Sequence, residues 1–261
     1  MLKDQKINNT ELRGLIRKLA DEYDDRCYFE SDPVVFPRYF YNLLINGGTL
    51  CKGEEVEDMP CSCSIGLCMK DIEIAGIIAA HLAWGRRAMI VRDCKRAFAE
   101  MDYAPLKYVM DGKYRNDDKS LHRTVKWSEF ALICSNLREF YSSNDSLEEL
   151  SPEEIRVKIY GRKPDRRMPN KKIMMMRRWF VRQDGIVDLG IWKHSNPCDL
   201  VIPLDVHVHQ TARQLGITSR KCPDMTTAME ITDFLRTVFP DDPCKGDFAL
   251  FGYGITHPIC H

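Results

Sequence analysis

An all-α fold is predicted by three features of this sequence. Apolar residues recur at helical spacing through most of the chain. The alternation that a half-buried strand needs is nearly absent. Helix start signals stand where the periodicity begins, as at Ser151-Pro152-Glu153-Glu154, with Pro at the first position and acids in the first turn. No internal repeat and no low-complexity segment interrupts the pattern.

The elements follow in order. Glu11 to Tyr23 reads as an amphipathic helix with Leu12, Leu15, Ile16 and Leu19 on one face, capped by Asn9 or Thr10. Aromatic-rich sequence from Asp32-Pro33 to Tyr41 predicts a second, short helix. Asn46-Gly47-Gly48 marks a turn, and residues 47 to 70 read as a loop. Asp71 to Trp84 is apolar nearly all round and so predicts a buried helix, with Asp71 as its cap and Gly85 as its end. Further helices are predicted over Arg86 to Met101, Pro105 to Met110, Ser128 to Tyr141, Ser146 to Leu150 and Pro152 to Tyr160. Asn170 can cap a helix from Lys171 to Arg182. Gln210 to Leu215, closed by Gly216, Thr226 to Val238 and Pro243 to Tyr253 complete the series.

Length and composition bound the reading. A chain of 261 residues supports one large or two small domains. Hydrophobic content of 44% and charged content of 29% describe a soluble globular protein. The N-terminus from Met1 to Lys6 has no signal-peptide pattern, and no apolar run approaches the ~20 residues that span a bilayer. A cytoplasmic location, no membrane and a monomer are therefore expected. The eleven cysteines are expected to be reduced thiols, mostly buried as small hydrophobes. Neither a Gly-x-x-x-x-Gly-Lys loop nor a Gly-x-Gly-x-x-Gly fingerprint occurs, so no nucleotide cofactor is expected.

Charge is distributed unevenly. Between Arg156 and Arg182 stand eleven Lys or Arg against one acid, Asp165, although the net charge of the chain is zero. A basic strip on a neutral protein favours a defined polyanion-binding face. Arg162, Lys163, Arg166, Arg167, Arg177 and Arg178 are its candidate phosphate contacts. Beyond it lies Leu200-Val201-Ile202-Pro203-Leu204-Asp205, where Pro203 fixes the approach and Asp205 takes the N-cap position of a helix. Asp205 is either a cap alone or an ionised carboxylate able to stabilise an oxocarbenium-like sugar. Lys171 and Lys172 follow the candidate cap Asn170. Helix-dipole and like-charge repulsion there favour a neutral amine, a Schiff-base nucleophile; the alternative role is phosphate binding.

Ile202-Pro203-Leu204-Asp205-Val206-His207-Val208 resembles the segment that carries the catalytic aspartate of the helix-hairpin-helix DNA glycosylases, the endonuclease III superfamily. Asp247-Phe248-Ala249-Leu250-Phe251-Gly252 is similar to a later helix of that superfamily, and Glu73 to His81 to its early core helix. The whole chain also resembles an uncharacterised bacterial family. That family shares the Pro-Leu-Asp-x-His-Val segment, an Arg-Trp-x-Val-Arg segment (here Arg178-Trp179-Phe180-Val181-Arg182) and the Asp-Phe-Ala-Leu-Phe-Gly ending. The superfamily's hairpin usually reads Leu-Pro-Gly-x-Gly. Here Arg167-Met168-Pro169-Asn170-Lys171 stands in its place without glycine. The resemblance points to Lys171, with Lys172 next, as the catalytic lysine. Its spacing of 34 residues to Asp205 is nearer the archaeal 8-oxoguanine glycosylases than endonuclease III. Only Cys260 follows Gly252, so no iron–sulfur cluster is expected.

The resemblance implies a two-lobed, helix-hairpin-helix glycosylase-like fold with a cleft between the lobes. The barrel lobe is expected over 62–195, carrying Lys171. Residues 1–61 with 196–261 form the second, carrying Asp205. It further implies a DNA repair enzyme of base excision, a glycosylase and abasic-site (AP) lyase. Its partner is damaged double-stranded DNA, and no cofactor or metal is needed. The target base is flipped from the duplex, with His81, Trp84 and Trp179 as candidates to contact it. Three other readings remain. A non-enzymatic nucleic-acid-binding protein could keep the fold without the chemistry. Asp205, His207 and His209 could hold a metal if the segment were a strand. Cys51, Cys61, Cys63 and Cys68 could hold zinc, though they lack the paired spacing of zinc modules.

Overall fold

The computed structural model describes residues 9–62, 66–184 and 186–257, and their fold is α-helical apart from one small hairpin. No helix among them is long and apolar enough to cross a membrane. The chain divides into two compact units. One is Tyr28–Pro164. The other joins the N-terminal stretch through Cys27 to the chain from Asp165 onward. This boundary differs from the expected lobes, because it places Lys171 in the same unit as Asp205.

The 28–164 unit is built around α3 (Met69–Leu82). Every residue from Asp71 to Leu82 is buried, as the all-round apolar pattern predicts. Three buried polar groups within that run are satisfied. Asp71 does not occupy the cap itself: Cys68 does, and Asp71, three residues in, accepts the Cys68 N–H at 2.9 Å and the Leu106 N–H at 2.9 Å. Glu73 accepts the Tyr141 hydroxyl at 2.7 Å and the Leu147 N–H at 3.0 Å. His81 Nε2 pairs with Glu129 at 2.9 Å. Around α3 pack α2 (Val35–Ile45), α4 (Arg87–Glu100) and α5 (Pro105–Asp111). β1 (Ser120–His122) and β2 (Val125–Lys126) form the hairpin that leads into α6 (Trp127–Tyr141). Leu147–Glu149 is only a 3-10 turn. The helix expected over 152–160 is one α turn, α7 (Pro152–Glu154), continued as a π turn, Ile155–Ile159.

The other unit contains α1 (Asn9–Tyr23), α8 (Lys171–Val181), α9 (Val206–Gln214), α10 (Met225–Arg236) and α11 (Lys245–Thr256). The α1 stripe Leu12, Ile16, Leu19, Ala20 and Tyr23 is buried, and α1 and α9 both pack on α11. A Cβ on Gly252 would overlap the Tyr23 ring, so only glycine permits this approach of α1 and α11. Beyond α8 the chain doubles back, with the Leu189 and Trp192 N–H groups donating to the Trp179 and Phe180 carbonyls. Gly190, at φ 59°, makes that return, and a Cβ there would meet the Arg182 carbonyl at 2.9 Å.

Two buried arginines tie this unit together. Arg182 bonds Asp24 (3.3 Å), Asp184 (2.7 Å), Asp188 (2.5 Å) and Asp242 (2.8 Å). Arg178 bonds Asp188 (3.3 Å) and Asp247 (2.8 Å). Both guanidiniums also lie over the Phe248 ring. Asp242 is thus a partner of a buried charge. Burial pushes the Asp24 carboxyl up to about 6, against the pull of Arg182.

The cysteines correct an expectation. Among the described residues, only Cys94, Cys134 and Cys244 are buried, while Cys27, Cys51, Cys61 and Cys222 are exposed; all are free thiols. Cys63 and Cys260 lie outside the described residues.

Two outcomes are expected. Arg182→Met removes one cation from four aspartates, and uncompensated buried charge typically costs about 3–5 kcal/mol; an unchanged denaturation midpoint would contradict the network. Asp24 binds its proton more tightly folded than unfolded. Its stabilising contribution is full below about pH 4 and is lost as pH rises through about 6. The stability of the wild type relative to Asp24→Asn is expected to fall across that window, as read by denaturation at each pH.

Candidate functional site

Asp205 is set by the chain on both sides of it. Leu200, Ile202 and Leu204 are buried, and the Ile202 N–H donates to Thr232 Oγ1 on α10 at 3.2 Å. Extended backbone at Asp205 (φ −112°, ψ −177°) then starts α9, and its Oδ1 accepts the Val208 N–H at 2.9 Å. The cap role holds. The carboxylate is half-buried, beside exposed Val206 and His207. Because this segment is a helix, Asp205, His207 and His209 do not share a face as a strand would require. His209 is buried and bonds the Arg220 carbonyl.

Lys171 is set by the turn before α8. Asp165 accepts the Arg167 and Met168 N–H groups, and the Arg167 carbonyl accepts the Met225 N–H at 2.8 Å. Asn170 does not cap α8 through its side chain, as the sequence suggested. It adopts the left-handed conformation (φ 48°, ψ 41°), and its carbonyl accepts the Met174 N–H. Asn tolerates that region better than any residue but Gly. Lys171 and Lys172 open α8, both half-buried. Lys171 makes no hydrogen bond or ion pair with the described residues.

A third residue lies within electrostatic reach of these two, and it was not read from the sequence as a site residue. Asp247, in the first turn of α11, is buried. Its Oδ2 accepts from Arg178 Nη1 at 2.8 Å, while its Oδ1 is buried without a hydrogen-bond partner. Burial pushes its carboxyl up to about 6. Arg178 opposes that rise, Asp205 adds to it, and Lys171 lowers it. Lys171 and Asp205 thus both lie within electrostatic reach of this buried carboxyl group. The signal available in the sequence was an acid at the head of the apolar run Phe248-Ala249-Leu250-Phe251.

The remaining candidates are dispersed. Arg162, Lys163, Arg166 and Arg167 are exposed, with Met168 exposed among them. The first two belong to the 28–164 unit and the second two to the other. Arg177 is half-buried over the Trp192 ring. Arg178 is not a surface cation: it is 5% exposed and committed to Asp188 and Asp247. Trp179 is fully buried in the core. His81, buried and stacked on Tyr160, and half-buried Trp84, under the Arg123 guanidinium, lie in the 28–164 unit. Of the four loop cysteines, Cys51 and Cys61 are exposed, Cys68 is half-buried, and Cys63 lies outside the described residues.

No curated protein and no solved structure matches the chain. A family described as protein of unknown function (DUF2400) matches residues 67–159 and 155–256, most of the sequence, and the chain belongs to that family.

Proposed function

We propose that the chain is a DNA base-excision enzyme, a glycosylase and abasic-site lyase of the helix-hairpin-helix glycosylase-like kind, with Lys171 as nucleophile and Asp205 as its carboxylate partner. The observation that supports this reading is that both lie within electrostatic reach of one buried carboxyl group, Asp247. They lie 34 residues apart, at the starts of different helices, within one unit. Lys171 is the better nucleophile on position, standing one residue after the left-handed Asn170. Arg166 and Arg167, exposed in the turn that leads to it, suit phosphate contact, as do Arg162 and Lys163 just before.

The chemistry balances without a cofactor. The Lys171 amine attacks the anomeric carbon, forming the N–C bond as the bond to the base breaks and its electron pair leaves with the base. Asp205 stabilises the positive charge that develops on the sugar. After the lysine nitrogen gives up a proton to the departing base, its lone pair expels the ring oxygen from that carbon; the oxygen keeps the bond pair, takes a proton from water to become a hydroxyl, and a protonated Schiff base remains. Removal of a proton from the neighbouring carbon then expels the 3′ phosphate by β-elimination. On an abasic site the same amine meets an aldehyde, and water is the group expelled. The alternative, a nucleic-acid-binding protein without catalysis, needs the basic turn and not the pair.

Single-turnover strand scission of an abasic duplex tests the reading. Lys171→Met is expected to abolish scission, and Asp205→Asn to slow it by about 10²–10⁴-fold, with DNA affinity retained. Scission by Lys171→Met at the wild-type rate would overturn the assignment. Binding without scission by any form would leave the binding protein. Arg166→Ser with Arg167→Ser is expected to weaken binding and to flatten the salt dependence, by about 0.9 in log–log slope for each phosphate that is no longer neutralised. An unchanged slope would remove this turn from the interface.

A further inference from the structure

We propose that Asp247 is the positioning residue for Lys171: its buried Oδ1 receives the Lys171 ammonium and takes its proton before the amine attacks. This rests on the lyase reading above.

Three observations carry it. First, Oδ1 is buried and unpartnered although the residue is itself 5% exposed. An unmade hydrogen bond of this kind costs about 1–3 kcal/mol, more for a charged group, so the atom has a use for a donor. Second, the orientation of the carboxylate is fixed from the other side, since Oδ2 is held by Arg178, which Asp188 holds in turn. Third, Lys171 and Arg178 are seven residues apart on α8. That is about two turns, so they lie on one side of the helix about 10 Å apart along its axis. The helix face that binds Asp247 is therefore the face that Lys171 begins.

The charged groups within electrostatic reach of Asp247 come from several elements. From α8 come Lys171 and Arg178, and from the cap of α9 comes Asp205. The buried Cys244 thiol precedes α11, and Asp242 and Arg182 lie within electrostatic reach of that thiol. Just after α1, Asp24 joins the network through Arg182. Against these, a carboxyl pushed up to about 6 is a competent acceptor near neutral pH. In the step itself an Nζ–H bond breaks and an Oδ1–H bond forms. The electron pair stays on Nζ, ready for the anomeric carbon.

The test reads Asp247 directly. Its carboxyl carbon is titrated by NMR in the full chain, as wild type, Lys171→Met and Asp205→Asn. Loss of the lysine is expected to raise the midpoint by about half a pH unit or more, and loss of the Asp205 charge to lower it. An unchanged midpoint in Lys171→Met overturns the proposal. This readout needs no catalysis, so an absence of scission would sink the lyase reading and leave the pairing decided. Where scission occurs, Asp247→Asn keeps the side-chain shape and leaves Arg178 its Asp188 partner. It is expected to slow scission about ten- to a hundredfold with DNA affinity unchanged and to remove the limb of the pH profile near 6. Asp247→Glu is expected to restore part of the rate. A wild-type rate and profile in Asp247→Asn would also overturn it.

Discussion

The unit that carries Lys171 and Asp205 depends on two buried guanidiniums. Arg178, on α8, and Arg182, at its C-cap, between them hold five aspartates: Asp24 just after α1, Asp184 and Asp188 in the loop after α8, Asp242 just before α11 and Asp247 in its first turn. Burying one such ion is costly, and only dense pairing makes it tolerable. The pairing also fixes geometry, because each carboxylate must meet a planar fork from a set direction. Here the forks lie over Phe248, so the first turns of α11 are clamped both by charge and by ring contact.

That clamp reaches the candidate site through Asp247. One oxygen of this residue completes the arginine network, and the other lies buried where Lys171 and Asp205 exert their fields. The site is thus an outer edge of a structural network. Its lysine rests on a left-handed asparagine, and its carboxylate on a helix start anchored by Ile202 and Thr232. Damage to the network is therefore expected to disturb the candidate site as well as stability.

Much of this was legible in the sequence, for identifiable reasons. Helical periodicity located nearly all the helices, and the all-round apolar character of residues 72–82 marked the buried α3. Pro203 followed by a lone Asp marked the cap at Asp205. What was not legible needed partners distant in sequence. Arg178 and Arg182 look like two more members of a basic strip, and only Asp188, Asp242 and Asp247 reveal them as interior charges. Asp247 hid in an apolar run for the same reason. Asn170 was read as a side-chain cap, though its use lies in backbone conformation, which composition does not report. The short hairpin at Ser120–Lys126 was too brief to show alternation. Three sequence segments, Arg178 to Arg182, Pro203 to Asp205 and Asp247 to Gly252, gain a common physical meaning. Between them they supply the clamp, the cap, the buried carboxylate and the close approach of Gly252 to Tyr23.

The most direct test is to trap the protein on an abasic-site duplex with borohydride, digest the adduct and map the modified peptide. The account predicts a single adduct on Lys171. An adduct on Lys172 or elsewhere would contradict the assignment of the site, and no adduct on a duplex that the protein binds would contradict the lyase chemistry altogether.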